Sequence, residues 1–246
     1  MGTQIKTSFN FSGTRIPVRI KSDWRKSVRF SISGKSINII VPKYYTKEQV
    51  HEELFKLKEW SAQQFERDPE LFHRFTSIVY QDKEFIKIYG RVFQLSIKKE
   101  NRKSCSARIS KNNVVLIKVP GYIPEQEQHG LIGKVLSRVF GSFFLKDIKE
   151  RVDYYNRTYF QEPLESVKLK NNQSNWGSCS SEKNINLSSR LLFAPTDVLD
   201  YVIVHELAHL KEMNHSSRFW KIVEDVMPDY KQKEDWLSQY GRTLRF

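Results

Sequence analysis

Two histidines four residues apart, with a glutamate directly after the first, are the part of the sequence best suited to chemistry. They belong to the segment His205-Glu206-Leu207-Ala208-His209, an HExxH pattern. Residues four apart lie on one face of a helix, so His205 and His209 can bind one zinc ion together. Glu206 lies about 100° further round the helix, where it can take a proton from a water molecule that zinc activates. The segment therefore predicts a hydrolytic zinc centre with Glu206 as general base.

A third zinc ligand must come from outside this segment, because a catalytic zinc ion usually has three protein ligands and one position for water. His215 lies ten residues after the first histidine, which is the spacing of the metzincin signature. That signature has a glycine where this chain has Glu212, and Asn214 is the residue that suits a left-handed turn instead. The competing ligands are the carboxylates of Glu224 and Asp225 on the next predicted helix. We favour His215, because imidazole suits zinc and the turn residue is present.

Several further segments resemble the YgjP-like metallopeptidase family, which is grouped with the minigluzincins and the SprT-like zinc proteases. They are Trp176-Gly177-Ser178-Cys179-Ser180, Asn186-Leu187, Arg190-Leu191, the helix segment 200–210, the segment 214–220 and the segment 227–230. The resemblance implies that the three histidines bind zinc and that Glu206 is the general base. It is most specific over residues 172–237 and extends more loosely across the chain. One difference is Asn175, where the family usually has an arginine, so any role of that arginine is in doubt here.

The segment around Trp176 has a functional and a structural interpretation. Ser178 or Cys179 could orient the zinc ligands, and Cys179 could also block the open metal position reversibly, as in latent zinc proteases. Alternatively Trp176 packs in the core and Cys179 is a small buried hydrophobic residue, which is the commoner role of a lone cysteine. The strand Ile185–Ser188, which contains Asn186, is a candidate edge for an extended peptide, with an interior strand as the alternative.

The spacing of apolar residues predicts the elements that hold these side chains. Strands are predicted within 15–41, 85–119, 167–170 and 185–188, and helices from 46 to before Pro69, from 124 to about 159, from 195 to about 213 and from 216 to before Pro228. No internal repeat is apparent. We predict an α+β fold in which a basic β-rich N-terminal domain precedes a zincin-like catalytic domain that contains the HExxH helix. The predicted boundaries are 1–122 for the basic domain, with its one helix, and 123–246 for the zincin-like metallopeptidase domain.

Charge points to a second partner besides a peptide or protein substrate. The chain carries 41 Lys and Arg against 28 Asp and Glu, a net charge of +13, and the whole excess lies in residues 1–164. Such a surface can attract nucleic acid, although a lysine-rich surface without a partner is an equal alternative. The absence of a long apolar run and of a secretory leader, together with only two cysteines, Cys105 and Cys179, fits a cytoplasmic protein without a membrane partner.

Three hypotheses follow from the sequence. The first is a zinc metallopeptidase with one zinc ion per chain. The second is a DNA-associated SprT-like protease that is recruited through its basic N-terminal half. The third is a binding module that zinc stabilises and that catalyses nothing.

Overall fold

The computed structural model describes residues 5–34, 36–73, 75–76 and 78–246. The chain divides into two compact units, Met1–Ser77 and Ile78–Phe246. The division therefore lies between residues 77 and 78 and not near residue 122, where the sequence had predicted it. The physical reason is that the strands between residues 85 and 120 bury their apolar side chains in the same core as the long helix that follows them. None of the helices in the described part of the chain is both long and apolar enough to span a bilayer.

The first unit is a four-stranded sheet that is covered by a helix on one face. Its elements are β1 (Ile5–Phe11), β2 (Thr14–Asp23), β3 (Arg29–Ser33), β4 (Ser36–Pro42), α1 (Lys47–Arg67) and α2 (Pro69–His73). The strands lie in the order β1-β2-β4-β3, with β2 and β4 parallel. Alternate residues of β2 and β4 are buried against Leu57 and Phe65 of α1. A capping box begins α1, since the side chains of Thr46 and Gln49 each accept a bond from the other residue's backbone N–H.

The second unit begins with another four-stranded sheet and the longest helix. Its elements are β5 (Phe85–Ile88), β6 (Arg91–Glu100), β7 (Ser106–Ile109), β8 (Val114–Pro120), α3 (Glu125–Tyr155) and a π-helical turn (Asn156–Phe160). The strand order is β5-β6-β8-β7, with β6 and β8 parallel. Tyr89 and Gly90 form the turn between β5 and β6, and Asn113 lies in the turn before β8; their φ values are 48°, 73° and 57°.

These two sheets are copies of one ββββα module, which corrects the expectation that the chain has no repeat. Strand order, direction and the following helix agree. Several contacts also occur at matching positions in the two sheets. The backbone N–H of Lys43 donates to the carbonyl of Asp23 at 2.9 Å, and that of Gly121 donates to the carbonyl of Glu100 at 3.0 Å. The hydroxyls of Tyr44 and Tyr122 each donate to a lysine carbonyl, of Lys26 and Lys103, at 3.4 Å. Arg25–Asp23 and Arg102–Glu100 are ion pairs of 3.9 and 4.0 Å. The first unit thus repeats the module with which the second unit begins.

A small third sheet and three helices complete the second unit. The elements are β9 (Ser166–Lys170), β10 (Gly177–Cys179), β11 (Asn184–Ser188), a 3-10 turn (Ser189–Phe193), α4 (Thr196–Ala208), α5 (Ser217–Val226) and α6 (Tyr230–Tyr240). The strand order is β10-β11-β9, so β11 is the interior strand. The expectation that residues 185–188 offer a free edge is therefore wrong, since β9 and β10 occupy both sides of that strand. The two edge strands of this sheet are β9 and β10.

Helix α4 is anchored to α3 through a buried carboxylate. Asp200 is 5% exposed and forms a two-point ion pair with Arg151 of α3. Such a pair fixes orientation as well as distance, because the guanidinium and the carboxylate are both planar. The pair lies one helical turn before the first histidine of the HExxH segment and so positions the helix that carries it.

Candidate metal centre

Three histidines meet at the end of α4. His205 lies in its last turn, His209 caps it, and His215 belongs to the loop before α5. One ring nitrogen from each lies within 4.8 Å of those of the other two, and the Nε2 atoms of His205 and His215 are 3.1 Å apart. Two neutral imidazole nitrogens at that separation repel each other unless a proton or a cation lies between them. Three imidazoles arranged in this way are a ligand set typical of zinc.

The loop brings His215 back without the left-handed turn expected at Asn214. The backbone at Asn214 does not have a positive φ. Instead α4 ends at Ala208, five residues before its predicted end, and the N–H groups of residues 211 and 212 both bond the Ala208 carbonyl at 3.0 Å. This compact turn makes a left-handed residue unnecessary. His209 Nδ1 lies 3.1 Å from the Glu212 carbonyl and can donate to it, which leaves Nε2 of His209 free to bind a metal.

Burial keeps the metal-binding nitrogens deprotonated. Burial, and then the neighbouring His209 and His215, lower the pKa of His205 to about 3. Burial also lowers the pKa of His209. Both rings are therefore neutral at pH 7, as metal ligation requires. His205 Nδ1 and Glu206 Oε2 are buried and have no hydrogen-bond partner among the described residues. Such orphaned polar atoms beside a histidine cluster fit a site built for a cation with a water molecule.

Glu206 lies beneath the edge strand β10. Its side chain is 4% exposed, and burial raises its pKa to about 8. The carboxylate reaches this position because residue 177 is a glycine: a Cβ atom there would lie 2.6 Å from Cγ and 2.7 Å from Cδ of Glu206. Gly177 thus gives the carboxylate room next to the backbone of β10. A carboxyl whose pKa lies near neutral pH is suited to take and return a proton.

We expect Gly177→Ala to lower hydrolytic turnover about 100-fold, because the new methyl group must displace Glu206 and an error of about 1 Å in a catalytic group has a cost of that size. Zinc content should stay unchanged, since the three histidines do not contact residue 177. Gly141→Ala is the control, because its Cβ would meet Leu169 at an ordinary 3.7 Å. Steady-state kinetics and metal analysis of both variants would measure this, and full turnover in Gly177→Ala would show that the position of Glu206 is not critical.

The competing carboxylates are directed elsewhere. Glu224 and Asp225 are exposed on α5 and pair with Lys221 at 3.8 and 2.9 Å. Neither belongs to the cluster formed by the three histidines. The structure therefore brings His215, and not these residues, to the HExxH pair.

The segment 176–179 has mainly structural contacts. The guanidinium of Arg190 stacks 4.1 Å from the centre of the Trp176 ring and bonds the carbonyls of the C-terminal segment, which favours the packing interpretation of Trp176. Ser178 Oγ accepts a bond of 3.4 Å from Asn186 Nδ2, so these two predicted site residues contact each other. Burial, and then Glu206, raise the pKa of the Cys179 thiol to about 11, and it donates to a neighbouring carbonyl. A thiol of this kind is a poor zinc ligand, because the thiolate is the binding form.

The aromatic residues that pack against the three histidines were not predicted from the sequence. The ring of Phe219 lies 5.0, 4.5 and 4.8 Å from the rings of His205, His209 and His215. Trp220 lies 5.8 Å from His205 and stacks on Tyr230 at 5.4 Å. The sequence feature that could have indicated these contacts is the position of Phe219 and Trp220 about one helical turn after the third histidine. Their rings pack against the imidazoles and help to hold them in place.

Comparisons with known proteins identify the family of this chain. The model of the YgjP-like metallopeptidase domain matches residues 26–240, which is most of the chain. The chain belongs to the YgjP-like metallopeptidase family. A UTP pyrophosphatase of Escherichia coli (strain K12) is 34% identical over 67 residues, or 26% of this chain. The match covers 40% of that relative, so the chain spans about two fifths of its length.

Two solved structures of metallopeptidase zymogens are also similar. Abylysin of Pyrococcus abyssi is 26% identical, with a TM-score of 0.35 over 37% of this chain and 92% of that chain. Jannalysin of Methanocaldococcus jannaschii is 22% identical, with a TM-score of 0.34 over 37% of this chain and 94% of that chain.

Proposed function

We propose that this family member is a zinc-dependent peptidase that binds one zinc ion per chain. The observation that carries the proposal is the convergence of three imidazoles with the buried carboxylate of Glu206 beside them. Membership of a metallopeptidase family supports a divalent metal at such a site. His205, His209 and His215 would hold the metal through one ring nitrogen each.

The residues divide the work of peptide hydrolysis. Zinc, when bound, supplies a Lewis acid that polarises the peptide carbonyl and makes water a nucleophile near neutral pH. Glu206 takes the proton of the attacking water on a carboxylate oxygen and then delivers it to the nitrogen of the leaving amine. Its raised pKa suits both steps, since a weaker acid is a stronger base. The hydrogen bond between His209 and the Glu212 carbonyl keeps that imidazole oriented.

The free edge of β10 is the surface that we propose for the substrate backbone. In the antiparallel pair with β11, residues 176 and 180 bond towards the partner strand. By alternation, the main-chain groups of Gly177 and Cys179 point to the free edge. An extended peptide added there would lie directly beside Glu206, because Gly177 contacts that side chain. The side chain of Asn175 donates to the Gly177 carbonyl at 2.8 Å and would have to yield this acceptor to a substrate.

Removal of zinc tests catalysis against a purely structural role. We expect a chelator to abolish hydrolysis of an unfolded protein substrate, and added zinc to restore it. The metal-free protein should remain folded, because the second unit has a large apolar core that does not depend on the three histidines. Circular dichroism and activity measured on the same samples would show this. Unfolding on chelation, together with no hydrolysis by the zinc-loaded protein, would instead establish a zinc-stabilised binding module.

A second candidate activity is hydrolysis of a nucleoside triphosphate. A cleft of about 500 Å³ between α3 and β9 is lined by Lys134, Arg138, Lys168 and Lys170, and no carboxylate is among its lining residues. Four cations without counter-charges suit a polyphosphate, and one relative bears the name UTP pyrophosphatase. The cleft lies at β9, the opposite edge of the three-stranded sheet from β10, and it is therefore separate from the strand that contacts Glu206. Peptide hydrolysis at the histidine cluster is for this reason the better supported activity. Pyrophosphate release from UTP, in the absence of peptide hydrolysis, would reverse this order.

A further inference from the structure

One face of the first sheet is strongly basic. Strand register places five cations on the face opposite α1: Lys6 of β1, Arg15, Arg19 and Lys21 of β2, and Arg29 of β3. All five are exposed, and the remaining ladder positions between them carry neutral residues such as Ser8, Asn38 and Ile40. Among the residues that alternate onto this face, the nearest carboxylate is that of Asp23 at the end of β2, which pairs with Arg25. We call this set of five cations the basic sheet face.

The cations of the basic sheet face are not neutralised by ion pairs within the described part of the chain. None of them forms an ion pair, and the polar contact of Arg15 is a bond of 2.9 Å from its Nε to the hydroxyl of Ser8. Alternate residues along a strand are about 6.6 Å apart and neighbouring strands about 4.8 Å apart, so these charges lie close enough to repel one another. A polyanion bound across them would relieve that repulsion.

The fold itself does not require two of these five cations, as the second copy of the module shows. Matching Asp23 with Glu100 aligns β2 with β6 and places Val92 and Ser96 where the first copy has Arg15 and Arg19. The equivalent sheet in the second unit is therefore built without those two arginines. The two arginines belong to the first copy alone, whereas the position of Lys21 is occupied by another exposed lysine, Lys98, in the second copy.

We infer that the basic sheet face binds double-stranded nucleic acid through its phosphates. Duplex DNA presents one negative charge per about 1.7 Å of its axis, a density that a surface with five free cations can engage. The face carries no aromatic side chain, so it lacks the stacking platform on which single-strand binding depends. Contacts to phosphates alone carry no sequence information. This site is independent of the proposed peptidase centre.

Salt dependence tests the inference on the full-length, zinc-loaded protein. With a mixed-sequence DNA duplex of about 24 base pairs, five phosphate contacts give a slope of log K against log salt near −4.5. Arg15→Gln combined with Arg19→Gln should make the slope shallower by about 2 and weaken binding at least 10-fold at moderate salt. The matched control is Lys87→Gln combined with Lys98→Gln, which removes two exposed, unpaired lysines from the equivalent sheet of the second unit. The control should keep the slope of the unmodified protein.

Four outcomes would overturn the inference: no duplex binding at low salt, equal losses in the two double variants, stronger binding to the single strand of the same length, or stronger binding to vesicles with anionic lipid. A duplex RNA of the same length shows which nucleic acid is preferred. Zinc content and peptide hydrolysis should be unchanged in both double variants. A failure of the peptidase proposal and a failure of this one would thus be seen in separate measurements.

Discussion

Glu206→Gln should lower peptide hydrolysis by about 1,000-fold while the protein keeps about one zinc ion per chain. Glutamine has nearly the same shape as glutamate, so its contact with Gly177 is preserved, but its amide cannot accept the proton of the attacking water. Positioned acid–base groups contribute about 100- to 10,000-fold to a rate. Because the three imidazoles do not depend on the carboxylate, metal analysis and kinetics should separate the two properties.

A control and a second measurement make this prediction specific. Glu224→Gln removes the same charge from an exposed site on α5 and should leave turnover unchanged. In the metal-free protein, Glu206 holds its proton up to about pH 8, whereas the unfolded chain releases it near pH 4.5. The folded state therefore loses stability as pH rises between these values, and Glu206→Gln should remove that loss. Unchanged hydrolysis in zinc-loaded Glu206→Gln would exclude Glu206 as the base.

The histidine cluster could be predicted because its spacing is a local property. HExxH in a helix places two imidazoles on one face, and the short loop that follows limits how far the third histidine can lie from them. The path of that loop could not be predicted in the same way. The sequence indicated a left-handed residue at Asn214, but α4 ends early at Ala208 and the chain returns by ordinary backbone bonds. Several turns can join the same two points, and composition does not choose among them.

The order of the strands in the three-stranded sheet could not be predicted from the sequence. Residues 185–188 have the alternation of a strand, but alternation does not say which neighbours a strand has. β11 proved to be interior, and the edge beside the histidines belongs to the three-residue strand β10, too short to show a period. Gly177 was visible in the sequence as a turn residue. Its contact with Glu206 could be seen only in the three-dimensional structure.

The repeated module was hidden for a related reason. The two copies share an alternating apolar pattern, which many side chains satisfy. Their identities are confined to short stretches: Arg25-Lys26-Ser27 matches Arg102-Lys103-Ser104, and Val41-Pro42 with Tyr44 matches Val119-Pro120 with Tyr122. Strand order, together with a few matching contacts of the backbone and of the two tyrosine hydroxyls, carries the likeness. The same feature explains the misplaced boundary, because the second copy shares its core with α3 and its partners.

His215→Ala is expected to reduce zinc from about one ion per chain to almost none after dialysis against a weak chelator. Loss of a partner that merely orients a ligand weakens metal binding by about 10- to 100-fold, so the loss of a ligand should exceed that range. The side chain is exposed at the edge of the cluster, so its removal should not disturb the core or the helix that carries the other two histidines.

The competing ligands supply the control for this measurement. A double variant, Glu224→Ala with Asp225→Ala, should retain full zinc, because both carboxylates pair with Lys221 and stand apart from the cluster. The reverse pattern, with zinc retained in His215→Ala and lost in the double variant, would assign the third position to a carboxylate of α5. That result would require α5 to turn its exposed face towards the metal, at the expense of the contacts that Phe219 makes with all three imidazoles. Since those contacts bury an aromatic ring, we expect the three-histidine site to hold.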